Sequence, residues 1–137
     1  MANFKGTNIT AMDATPSTKV KSSQVHGRLR VFKDEYEAAG EAIGSTITIA
    51  RLPRGAVVYD VTLHYDALGT SSTLAVGDAA DADRYIVASA SASAGKKILG
   101  AIAGFAFEQT AETDVMITTA GAAITGTIKS AVYYTVD

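Results

Sequence analysis

A chain of 137 residues has the length of one domain, enough to bury roughly two-thirds of its unfolded surface without staples. It has no cysteine, which excludes a disulfide framework and a thiolate metal site. Its formal charge of −2 argues against a nucleic-acid binder working through overall positive charge. Much of the 47% apolar fraction is alanine, with four Phe and no Trp, so the expected core is thin and tightly packed. No signal-peptide pattern and no apolar stretch of membrane-spanning length occur, so a soluble protein is expected.

Residues 1–25 are rich in Thr, Ser, Asn and Lys, with apolar residues scattered without period and a Thr15-Pro16-Ser17 break. They read as an extended arm without its own core, ordered by lying on something else or not at all. The remainder, 26–137, reads as the folded domain. Residues 28–36 suit a strand, with Leu29 and Val31 on one face and Phe32 and Tyr36 on the other. Residues 34–42 could instead form a short helix by propensity. A strand is expected over 46–50, and Pro53-Arg54-Gly55 is a turn, since Pro presets φ and Gly frees it.

Val57–Tyr65 is the clearest element. Its odd positions Val57, Tyr59, Val61, Leu63 and Tyr65 are apolar, a period of two that predicts a strand with one buried face. Short strands follow at 72–76 and 84–88, while 88–95 alternates Ala and Ser and suits a flat strand or a loose loop. Residues 96–107 match both helical and strand spacing; Gly100 and Gly104 tell against a helix, which favours strand for the second half. Residues 115–119 and 127–136 are rich in β-branched and aromatic side chains, and Ile128, Val132, Tyr134 and Val136 share a face. About eight short strands with regular turn signals predict an all-β, single-domain antiparallel sandwich.

No catalytic constellation accompanies these strands. Serines and aspartates are plentiful beside His26 and His64, but no Gly-x-Ser-x-Gly elbow of a Ser-His-Asp site occurs, so His64 reads as a surface or inter-subunit residue. Asp78, Asp81 and Asp83 do not have calcium-loop spacing. A solvated turn, with Asp83 paired to Arg84 or a neighbour, is expected there instead of a cation site. Glu35, Glu37 and Glu41 lack the aromatic cleft of a glycosidase. Gly95-Lys96-Lys97 lacks the first glycine and the hydroxyl of a phosphate loop. Lys19, Lys21, Arg28, Arg30 and Lys33 form a basic stretch suited to contact with an acidic protein surface, or simply a solvated face. No enzyme and no cofactor are expected.

The segment 38–85 resembles a family of small bacteriophage virion proteins often encoded beside the major capsid protein. The residues carrying the likeness are Ala38-Ala39-Gly40, Ile47-Thr48-Ile49 and Leu52-Pro53-Arg54-Gly55-Ala56-Val57-Val58. They continue with Asp66-Ala67-Leu68-Gly69, Ser72-Thr73-Leu74, Val76-Gly77-Asp78 and Asp83-Arg84-Tyr85. Ala2-Asn3-Phe4-Lys5-Gly6-Thr7, Gly126-Thr127-Ile128 and Tyr133-Tyr134 are similar in style. These are turn-and-strand motifs, and no functional residue is carried across.

The resemblance implies a jelly-roll-like head decoration (cement) protein on the capsid surface of a virion, commonly trimeric and made in the host bacterial cytoplasm. Its partner would be the major capsid protein, with no nucleic acid, membrane or small-molecule substrate. An arm of this kind extends contact beyond a compact domain, which makes Phe4, Lys5, Ile9, Lys19 and Lys21 the candidate partner contacts. A tail or neck protein would use the same fold. A carbohydrate-binding or adhesion sandwich is disfavoured by the absence of Trp.

Overall fold

The computed structural model describes residues 2–137; Met1, where the expected arm begins, lies outside them. One short helix, α1 (Thr7–Asp13), precedes nine strands: β1 (Arg30–Glu41), β2 (Thr46–Leu52), β3 (Val57–Tyr65), β4 (Thr73–Gly77) and β5 (Ile86–Ala90), then β6 (Gly95–Ile98), β7 (Phe107–Glu108), β8 (Thr113–Ala120) and β9 (Ile124–Thr135). One sheet runs β1-β9-β3-β6, with β7 also on β3; the other runs β2-β8-β4-β5, and all pairs are antiparallel. Taking β6 and β7 as one interrupted strand leaves eight, in the order of a jelly roll. The expected all-β sandwich is what forms.

The core lies between the sheets, with Val58, Val61, Leu63, Ile128 and Val132 from one facing Ile47, Leu52, Leu74, Val76 and Ile117 from the other. Tyr85 is fully buried among them and its hydroxyl accepts a 2.7 Å hydrogen bond from Gln109 Nε2. Burial pushes that phenol's pKa up to about 12.

The strand 57–65 has the expected bounds but not an uninterrupted alternation. Val58 pairs with Tyr134 and Asp60 with Tyr133, so Tyr59 is the extra residue of a bulge. The bulge shifts the phase by one, so Val58 faces the core before it and Val61 and Leu63 after it. Tyr59 turns to the outer side, and Val57 is buried outside the core cluster. A second bulge at Ile49 does the same in β2.

One alternative and one expectation fall away for identifiable reasons, while the strand read over 28–36 forms within β1. Residues 34–42 do not form a helix, because β1 pairs with β9 as far as Glu41 and sends Phe32, Tyr36 and Ala38 inward. Tertiary pairing overrides propensity here. Gly40, at φ +90, sits in the bulge between Ala39 and Glu41 where a side chain would be strained. In 96–107 the strand is at the start, β6, and turns occupy the second half as far as β7. The turn at 53–55 forms as read, with Gly55 at φ +87 and Ala56 N–H donating to the Pro53 carbonyl at 3.1 Å.

Candidate interaction surfaces

The arm is pinned to the body at its root. Ser23 is buried, and its carbonyl accepts hydrogen bonds from Tyr59 OH at 2.7 Å and Thr135 Oγ1 at 2.8 Å. Its amide donates to Asp137 Oδ1 at 2.9 Å, and Ser22 Oγ donates to the same carboxylate. These hydroxyl and amide donors, with Lys21 nearby, hold the Asp137 carboxyl below its ordinary range. Lys21 Nζ meets both oxygens of Glu108 at 2.9 Å, which raises the lysine's pKa. Tyr59 can reach Ser23 because the bulge turns it outward.

Beyond this root the arm carries little of its own structure. Helix α1 has no buried residue and no side-chain cap. It is held by Thr10 N–H to the Gly6 carbonyl, by an exposed Lys5–Asp13 pair at 2.7 Å and by Asn8 Nδ2 donating to Gln24 at 3.3 Å. The helix flanks a shallow groove shared with Tyr59 and Phe105, whose rings meet edge-on with centroids 5.8 Å apart. Phe4 is 89% exposed, and Ile9 and Met12 are about half exposed.

The structure therefore divides the expected contact residues. Phe4 stands free on the distal arm, Ile9 is half exposed at the groove beside Tyr59 and Phe105, and Lys19 is exposed near the root. Lys5 and Lys21 are engaged within the chain, by Asp13 and Glu108. The arm is not bare coil: α1 interrupts it, stabilised by bonds within the arm that leave no periodic apolar signal. Sequence reasoning missed Ser23, Asp137 and Tyr59 as a latch; only the phase break at Tyr59 could have hinted at it.

The outer face of the β1-β9-β3-β6 sheet carries a transverse row. Register places Glu35 opposite Lys129, Lys129 opposite His64, and His64 opposite Lys96. All four are exposed, on strands about 4.8 Å apart. The next row runs Lys33, Ala131, Thr62, Ile98. Lys97, of opposite parity, turns inward, is buried, and spans to the other sheet by donating to Ser89 Oγ at 2.5 Å and the Ala90 carbonyl at 2.8 Å.

The aspartate cluster is built as a turn. Asp78, 5% exposed, accepts from the amides of Ala80 and Asp81 and from Arg84 Nε at 2.7 Å. Arg84 in turn stacks on Phe107 at 3.9 Å. The partner of Arg84 is thus Asp78 and not Asp83, whose carboxyl is instead pushed up by neighbouring Asp81. Beside this turn lies an open groove of about 570 Å³ that also holds the Arg51–Asp114 pair at 2.7 Å. Its two arginines and their two aspartates are paired with each other.

No family model and no curated protein matches this sequence. Solved structures do. The chain is similar to one in the capsid asymmetric unit of cyanophage Pam1, with TM-score 0.73 and 29% identity over 93% of this chain and 99% of that one. It shares its fold with a chain in the capsid of Ralstonia phage GP4, at TM-score 0.68 and 21% identity, covering 81% of this chain and 86% of that one. It also shares it with a chain in the acidic stable capsid structure of Helicobacter pylori bacteriophage KHP30, at TM-score 0.60 and 17% identity, covering 79% and 87%.

Proposed function

We propose that this chain is a bacteriophage virion structural protein that binds the outside of the capsid and stabilises the shell by bridging neighbouring major capsid proteins. The observation carrying this reading is the near end-to-end likeness to a chain from a phage capsid asymmetric unit, covering 93% of one and 99% of the other. The surface supports it. A body built on a buried core presents an arm whose Phe4 is almost fully exposed and whose Ile9 and Met12 are about half exposed, so docking on a neighbour would remove further apolar surface from water. Burying such surface stabilises the bound shell by mass action. A homo-oligomer, in the form of a trimer, is part of the proposal.

Co-sedimentation with capsids that lack the protein tests it. The full chain should bind heads and raise their resistance to heat, and deletion of residues 2–20 should weaken binding while leaving the melting transition of the body in place. Binding to isolated tails only, or heads no more heat-resistant with the protein than without it, would sink the decoration reading. Unchanged binding by the deletion would remove the arm from it.

A further inference from the structure

We propose that copies of this chain associate head to tail through opposite edges of one sheet, the acidic edge β1 of one copy seated against the basic edge β6 of the next. The contact deepens the oligomer part of the reading above and rests on it. β1 carries four carboxylates against two bases, whereas β6 presents Lys96 and no acid, its other lysine, Lys97, being turned inward. The opposite signs lie at the two ends of the same row, Glu35 at one edge and Lys96 at the other. Lys96 joins no ion pair among the described residues, and its cross-strand neighbour is His64, with Lys129 one strand further in. Within one copy this end of the row has nothing to answer it.

Register makes the match geometric as well as electrostatic. β1 and β3 are both antiparallel to β9, and β6 is antiparallel to β3. A second copy set beside β6 in the same orientation therefore presents its β1 antiparallel to β6, with the Glu35 side chain level with Lys96. Exposed apolar residues flank the charges on both sides: Val31 on β1, and Ile98 with Val87 at the β6 and β5 lip. The contact is made by side chains. On β1 the Glu35 amide already donates to Asp34 at 2.8 Å and the Ala39 amide to Glu41 at 2.7 Å, so the edge is closed to strand addition. A heterologous contact of this kind closes a ring or grows without end, and a single defined mass identifies the ring.

Native mass spectrometry and sedimentation equilibrium of the full chain at micromolar concentration test this. The wild type should run as one defined multimer. Lys96→Glu and the double variant Glu35→Lys/Glu37→Lys should each run as monomer with an unchanged circular dichroism melt, because each sets like charges face to face. The triple variant carrying all three changes should recover the multimer, since the signs are exchanged and matched again. A monomeric wild type, or a multimer unmoved by the first two variants, or a triple variant that stays monomeric, would each overturn the contact. Loss of head binding with the multimer intact would count against the shell reading alone.

Discussion

The body and the arm are held by different forces. Between the sheets, side chains such as Leu63, Leu74 and Ile117 are fully out of water, and each apolar side chain so buried contributes roughly 1.5–3 kcal/mol. Among the described residues of the arm only Ser23 is buried, and hydrogen bonds and exposed ion pairs hold it. Exposed pairs contribute little and are screened by salt. A rigid scaffold with a weakly latched extension is the arrangement expected if the extension's real partner is another molecule. Local opening of the arm should therefore leave the body folded.

The sharpest way to break the contrast is to damage the body alone. Leu63→Ala empties a fully buried site and should cost about 2–5 kcal/mol. Chemical denaturation would read it as a fall in midpoint, while arm protection from protease below the transition stays at the wild-type level. Arm release at the same time would mean that the two parts are one cooperative unit. Tyr85→Phe is gentler: it leaves Gln109 Nε2, buried and bonded to the lost hydroxyl, without a partner. About 1–3 kcal/mol is the expected loss, again with no effect on the arm.

The same division explains what could be read in advance. Alternating strands such as Val57–Tyr65 and the run ending in Ile128, Val132 and Tyr134 were legible, because burial against a sheet imposes period two. What hid were features made by contacts distant in sequence. Propensity over 34–42 favoured helix, and the pairing with β9 overruled it. The bulge at Tyr59 is invisible locally, since its extra residue exists only relative to Tyr133 and Tyr134. The latch joins Ser23 to Asp137, positions 114 apart, and no spacing rule links such residues. The arm's exposed Phe4 and Ile9 were legible as lacking a core, yet α1 was not, since no apolar stripe marks it.

The smallest expected effect lies in the latch. Asp137 is held ionised by Ser22, Ser23 and Lys21, so its carboxyl lies below the ordinary range in the latched state. A depressed acid contributes its full share above the value of the free carboxyl, about 3.9, and loses it as pH falls through the depressed value. Lys21, raised by Glu108, keeps its contribution below the ordinary lysine range and loses it only as pH climbs above that range. The latch should thus be closed across neutral pH and open in acid before the body melts. The amide resonance of Ser23, followed from pH 7 downward, should move toward its random-coil position with a midpoint under the free-carboxyl value, while core resonances such as Leu63 hold still. Asp137→Ala should open the arm at neutral pH with little change in the body's melting temperature. If Ser23 and the core instead shift together, or the variant's Ser23 amide stays at its wild-type position, Asp137 is not what fastens the arm.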